Sequence, residues 1–455
     1  MPTAYTILFL LLILVAAATW IIPAGSYDYV DGVPVAGTYH PVEQNPQGVG
    51  DVLKAAFSGF YDAVDVCIFI LMVGGFLGVV MKTGAVDAGV ANIIRLLGGR
   101  EKWLIPILML LFGLGGTTYG MWEETMAFYP LLIPVFLAAG YDAVVGISVI
   151  LLGAGAGVIA STVNPFATGI AAGFAGVSLG EGIVLRLLEW VAFEAAAIWF
   201  VMAYAAKVKK NPSKSVVGVG AGKIQVSMDQ QVPFTAKRKV IMALFTLTFL
   251  IMVYAVVPFD EMGLPLPTLG WWFPELSALF LVAGVVIGLI DRMSEEELVE
   301  TYVAGCADLL GVAFIIGISR GITVLMNDGA ITDTVLHWGE QALSGAGAIS
   351  FTLLVFALYL PLTILIPSSS GLATLSIPIV APLGKFAGVG GDLVVTAFQS
   401  ASGLVNIITP TAAVVMGALA LGHVPYDRWV KYVWKLILWF LLLALAFLVA
   451  GVLLG

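Results

Sequence analysis

Long apolar runs separated by short polar or glycine-rich stretches dominate the chain. Runs at 4–22, 60–82, 143–172, 182–205, 238–258, 272–290, 305–326, 391–421 and 428–453 each approach or exceed the roughly 20 residues that a helix needs to cross a bilayer. They predict nine crossings. Two more apolar stretches, 102–139 and 346–387, are broken near the middle by polar and glycine-rich sequence, so that both arms return to the side they entered from. These read as re-entrant hairpins. Irregular backbone at membrane depth must be packed in protein or line a wet cavity, so breaks in such places point to a functional site.

Composition fixes the class. With 60% hydrophobic residues and 11% charged, the 455-residue chain carries about half the charge fraction of a soluble domain, which makes it an all-α integral membrane protein. A net charge of −9 excludes a basic face for nucleic acid. Cys67 and Cys306 both lie inside apolar runs, without neighbours at a ligand spacing, and are assigned neither a bridge nor a transition metal. The run 4–22 has no basic leader and exceeds a signal core in length, so it is expected to be a retained first helix.

Loop charge orients the chain. Lys207, Lys209, Lys210, Lys214, Lys223, Lys237, Arg238 and Lys239 stand against Asp229 alone, which puts 206–239 in the cytoplasm. Loops 23–58 and 259–276 hold Asp28, Asp31, Glu43, Asp51, Asp260, Glu261 and Glu275 with Lys54 as their one base, and go outside. Counting from there places the N-terminus inside and the C-terminus outside an inner, cytoplasmic membrane. Lys82, Arg95, Arg100 and Lys102, then His423, Arg428, Lys431 and Lys435, also fall inside. Trp20, Trp103, Trp271, Trp272 and Trp429 read as interfacial belt residues.

The chain repeats itself. Gly59 and Asp62 recur as Gly305 and Asp308 at an offset of 246, Gly84 as Gly329 at 245, Pro130 and Pro134 as Pro378 and Pro382 at 248, and Pro165 as Pro410 at 245. An odd number of crossings separates the halves, which makes them inverted repeats with re-entrant hairpins and broken helices in matching places, the pattern of a secondary transporter. The divisions are 1–59, first helix and extracellular loop; 60–205, repeat one with hairpin 102–139 and broken helix 143–172; 206–237, basic linker. Connecting helices fill 238–304, and repeat two spans 305–455 with hairpin 346–387 and broken helix 391–421.

Four breaks, 115–125, 161–165, 366–371 and 398–411, are expected to meet near the midplane. Helix ends there offer free N–H groups to anions and free carbonyls to small cations. Thr117, Thr118, Ser161, Asn164, Ser368, Ser369, Ser370, Gln399, Ser402, Asn406 and Thr409 add oxygens and donors. Such a set suits a carboxylate or Na⁺, with Thr118, Asn164, Ser369 and Asn406 the candidate Na⁺ ligands.

Glu123 and Glu124 are the most informative residues, because a charged side chain at bilayer depth costs at least about 2.5 to 3.5 kcal/mol. Adjacent helical residues diverge by about 100°, so both reach one cavity only if the tip is unwound, as GGTTYG implies. They suit a cationic amine or guanidinium, or a proton shuttle; the bland alternative is a solvated rim near Lys102. Arg320 either clamps a substrate carboxylate or pairs with Asp62, Asp65, Asp308 or a hairpin acid. Glu189 and Glu194, with Arg186, read as an internal ion-pair set. GLGGTTYG lacks the GK[ST] of a phosphate loop, and His40, His337 and His423 stand far apart without a nucleophile, so enzymatic chemistry has no support.

IIPAGSYDY with AGTYHPVEQNPQG, GTTYGMWEETMAFYPLLIPV, NPFATGIAAGF, PSSSGLATLSIPIVAPL and ASGLVNIITPTAAVVMGAL resemble the YfcC branch of the DcuC-type carriers, within the ion transporter superfamily. The resemblance covers nearly the whole chain and implies a homodimeric elevator carrier whose hairpins and broken helices form the moving body. It implies basic amino acids such as arginine or ornithine, by exchange or cation coupling; the alternative is a four-carbon dicarboxylate carried with H⁺ or Na⁺. Where Na⁺-coupled relatives carry Ser-Asn-Thr, this chain reads Gly116-Thr117-Thr118 and Ser368-Ser369-Ser370. A channel would use the same breaks as a filter, and single-channel current distinguishes it from saturable exchange.

Overall fold

The computed structural model describes residues 4–454 except 31–32, 87, 90–91, 93–99, 119, 179, 219–233, 257–258, 260–264 and 272. Asp31, Arg95, Lys223, Asp229, Asp260, Glu261 and Trp272 therefore lie outside the described residues. In chain order the helices are α1 Ala4–Ala18, α2 Val49–Asp62, α3 Val64–Lys82, α4 Leu104–Thr118, α5 Tyr129–Ala138, α6 Ala143–Ile159, α7 Ile170–Ala175, α8 Ile183–Lys210 and α9 Ala236–Val256. There follow α10 Phe273–Asp291, α11 Glu295–Asp328, α12 Thr332–Leu343, α13 Ala348–Leu365, α14 Ser369–Phe386, α15 Gly391–Asn406, α16 Ala413–Leu421 and α17 Tyr426–Leu454. A 3₁₀ segment, Glu123–Phe128, precedes α5, and a π-turn, Pro165–Gly169, precedes α7.

Among the described residues, α3, α10, α11, α13 and α17 are long and apolar enough to cross a membrane. Expected spans 143–172 and 391–421 are each two helices, α6 with α7 and α15 with α16, separated by non-helical sequence. Helix α2 begins within the stretch read as an extracellular loop and runs into the expected crossing 60–82. Its Asp51 and Lys54 hide it from a hydropathy reading, yet Val52, Ala55, Ala56 and Gly59 are buried at the i, i+3, i+4, i+7 spacing of an amphipathic helix.

Two groups of helices pack tightly within themselves. In the first, α2 and α3 lie along α11, with α1 and α10 beside them and α9 against α10. Lipid gives apolar side chains no reason to seek each other, so small residues that let backbones touch hold such contacts. A Cβ on Gly78 would sit 2.9 Å from the Cα of Gly305, where α3 meets α11. The second group joins α4 to α8 with α13 to α17, centred on α6 and α15. The groups meet chiefly where α16 touches α11 and where residues 123–128 touch α3.

One other placement corrects the sequence reading. Trp429 is fully buried and donates its indole N–H to the Ile407 carbonyl at 3.1 Å, so it pins the second broken helix and is no belt residue. Trp20 and Trp103 are exposed, as belt residues should be. Loop 23–48, with its two short strand pairs, grips α12: the Tyr27 hydroxyl donates to Glu340 and the Tyr29 hydroxyl to Asp333, each at 2.7 Å. Burial first, then the neighbouring carboxylate, pushes both phenols well above their usual range.

Candidate functional site

The first hairpin turns where α4 runs out of helix-forming residues. Gly120 takes φ +78°, and a Cβ there would meet the Asn164 side chain, its Cγ at 2.6 Å, so glycine is needed for both reasons. The chain re-enters a helix in 3₁₀ form at Glu123 rather than staying unwound, and both carboxylates still face one cavity. Glu124 is 6% exposed and accepts from the Trp122 backbone N–H at 3.1 Å. That burial means the solvated-rim alternative does not describe Glu124, while Glu123 is half-buried.

The second hairpin turns through Ile366 and Pro367 into α14. Ser368 is the N-cap, its hydroxyl accepting from the Gly371 N–H at 3.2 Å. The amides of Ser369 and Ser370 begin the helix and have no carbonyl a turn earlier to bond, so the positive end of an 18-residue helix dipole points at the tip. Ser368 and Ser370 hydroxyls stand 3.4 Å apart.

Both broken helices bring an asparagine to the same place. Glu123, Glu124, Asn164, Ser368, Ser369, Ser370 and Asn406 line one cavity of about 160 Å³. Arg320, from α11 in the other helix group, closes a wall with Val66, Phe273 and Ile316. Its Nε lies 3.8 Å from Asp62 Oδ2, and its charge also acts on Glu123. Asn406 Oδ1 is buried without a hydrogen-bond partner among the described residues, which leaves an acceptor unused at the cavity. No group of three His, Cys, Asp or Glu suited to a metal occurs among the described residues.

The remaining predicted ligands lie outside the cavity lining. Thr117 is buried and ties the first tip to the first broken helix, donating to the Ala160 carbonyl at 2.8 Å and receiving the Thr162 N–H. Thr118 bonds back to the Leu114 carbonyl at 2.6 Å, the ordinary fate of a helical hydroxyl, and is not among the residues that line the cavity. Ser161 accepts from Thr168, and Gln399 donates to the Val158 carbonyl at 2.6 Å. Ser402 is buried in α15. Thr409 shares a 2.8 Å hydrogen bond with Thr411, and it is Thr411 that reaches the cavity, together with Trp122 and Phe273. Those three carry no sequence signal that separates them from other aromatic and hydroxyl residues nearby.

Of the expected ion-pair set, Glu189 receives a 2.8 Å hydrogen bond from Ser400 and feels Arg186 and, through it, the end of α15 at Asp392. Glu194 stands apart. Both its oxygens are buried without a partner among the described residues.

A sequence model of the DcuC family, described as C4-dicarboxylate anaerobic carriers, matches residues 1–453. A Haemophilus influenzae protein whose name assigns no activity is 35% identical over 99% of this chain and 97% of its own length. YfcC of Escherichia coli K12, provisionally named a basic amino acid antiporter, is 31% identical over 95% of this chain and 92% of its own. The solved YdaH transporter of Alcanivorax borkumensis overlaps 98% of each chain at 14% identity and a TM-score of 0.43, too weak a likeness to bear on the fold.

Proposed function

The chain belongs to the DcuC family and is a membrane transporter, not an enzyme, and from that premise we propose that it carries amino acids with a cationic side chain. The observation that carries this reading is the pairing of Glu123 and Glu124 on one tip with the Ser368–Ser370 helix start on the other across a cavity of about 160 Å³. A cavity below the roughly 300 Å³ of drug-sized pockets suits a solute of amino-acid size. The amine or guanidinium meets the glutamates; the carboxylate meets the serine hydroxyls and the free amides of α14. Asn164, Ser369 and Asn406 are the oxygens available to a coupling Na⁺.

The two helix groups suit alternating access. The elements recur at nearly one offset: α2 and α3 together span 49–82 and α11 spans 295–328, 246 residues on, and α6 begins at 143 against 391 for α15, 248 on. That register supports the inverted-repeat reading. In it the group with α4–α8 and α13–α17 slides as an elevator along the group of α1–α3 and α9–α11, in a homodimer in the cytoplasmic membrane with its N-terminus inside and C-terminus outside. Counterflow in proteoliposomes with labelled arginine, ornithine and succinate tests the substrate. Arginine or ornithine is expected to drive exchange, and succinate alone doing so overturns the reading.

A second reading has its own observation. Arg320 lines the cavity, and a guanidinium there fits a dicarboxylate, with the glutamates carrying protons. Under it succinate uptake is lost in Arg320→Gln; uptake that survives rejects it.

A further inference from the structure

One titratable group lies deep in the moving body without a part in the cavity. Glu194 sits near the middle of α8 and is 2% exposed, and neither carboxyl oxygen finds a hydrogen-bond donor among the described residues. The helices packed on α8 are α4, α6 and α17, with the 3₁₀ turn Pro212–Lys214, which carries Lys214, following its C-terminal end. No titratable residue occurs in α4, none in α6, and none in α17 from Leu436 onward, the stretch where Phe440 packs on Phe193. On α8 itself, Arg186 and Glu189 lie eight and five residues away, about 12 and 7.5 Å along the axis, and are engaged with each other and with Ser400 and Asp392. An ionised carboxylate without donor or counter-ion, held in packed protein at bilayer depth, is among the costliest arrangements a fold can keep.

The contact that seals Glu194 is also part of the hairpin. A Cβ on Gly113 of α4 would sit 2.5 Å from Glu194 Oε2, so α4 leaves just enough room for the carboxyl by having a glycine there. One turn further along α4, Thr117 is tied to the Ala160 carbonyl, and beyond it Gly120 packs on the cavity residue Asn164. Trp190, a turn before Glu194, holds an indole N–H with no partner among the described residues.

We propose that Glu194 is a proton-binding site of the carrier: its carboxyl is protonated while α4 packs on α8 and releases the proton to water when that contact opens. One proton is taken from water and one returned to water, with no other bond made or broken. The Trp190 N–H is the donor available to the carboxylate in the open state. Because α4 also carries the first hairpin tip, the proton and the solute act on one arm, which makes net transport proton-coupled. This rests on the transport reading of the cavity, not on the identity of its solute.

Two readouts on the purified full chain test it. Infrared difference spectra between alkaline and neutral pH are expected to show a protonated carboxylic-acid carbonyl band that is missing in Glu194→Gln; a band unchanged by that substitution overturns the proposal whatever the substrate. In proteoliposomes with arginine as probe, Glu194→Gln is expected to lower pH-gradient-driven accumulation about tenfold more than it lowers counterflow. Equal effects on both overturn coupling at this residue. Should the wild type carry no arginine, the substrate assignment fails while the infrared result still decides the proton site. Gly113→Ala presses on the carboxyl without removing it and is expected to weaken the band at neutral pH; an unaltered band again counts against the proposal.

Discussion

The two hairpin tips occupy matching places in the chain and differ in almost every chemical respect. The first offers two carboxylates from a 3₁₀ turn; the second offers three hydroxyls and the positive start of an 18-residue helix. A carrier for a simple anion would have little use for the first tip, and one for a simple cation little use for the second. Facing each other across one cavity, they define an axis with a negative and a positive end. On the proposed reading, a solute bearing both charges would be held between them in one orientation.

Removing the negative end is the most damaging way to break this asymmetry. Glu124→Gln leaves the shape of the tip intact but takes away the buried charge that the solute's cation would meet, an interaction worth about 2 to 5 kcal/mol when its partner is left unpaired. Arginine uptake is expected to fall about a hundredfold or more, and full uptake in the variant would remove this carboxylate from the solute's contacts. Next in size is Gly120→Ala. A left-handed conformation costs an alanine about 1 to 2 kcal/mol, and the new methyl meets Asn164, so the tip is displaced as well as strained. An uptake loss of about tenfold is expected, with thermal unfolding of the detergent-solubilised protein at lower temperature. Unchanged uptake would mean that the Gly120–Asn164 contact does not hold the first tip in place.

The contrast between the tips was legible because charge is rare inside apolar runs and a cluster of glycines and hydroxyls interrupts one, so Glu123, Glu124, Arg320 and GGTTYG stand out without any coordinates. Which hydroxyls face the cavity was not legible. Thr117, Thr118 and Thr411 look alike in sequence, and only the direction each takes at its helix end separates a staple, a back-bonded hydroxyl and a cavity residue. Hydropathy likewise misled at α2, where polar residues lie on the outer face of a helix packed on α11, and at Trp429, where an aromatic near an expected interface is fully buried. For Arg186 and Glu194 the helical rise was the missing consideration, since eight residues put them about 12 Å apart.

The second tip offers the gentlest probe, and a matched control sharpens it. Ser368→Ala removes the hydroxyl that accepts the Gly371 N–H, a loss of about 1 kcal/mol typical of an N-cap, and frees a backbone donor whose position the helix start depends on. Affinity for arginine, read as the concentration dependence of counterflow, is expected to weaken about fivefold, because the amides of Ser369 and Ser370 are no longer held in line. Thr118→Ala on the first tip deletes a hydroxyl of the same chemistry that is spent on its own helix, so its effect should stay within about 0.5 kcal/mol. If the two alanine variants weaken arginine equally, the tips are held alike by their hydroxyls. The positive end of the axis then owes nothing particular to the way α14 begins.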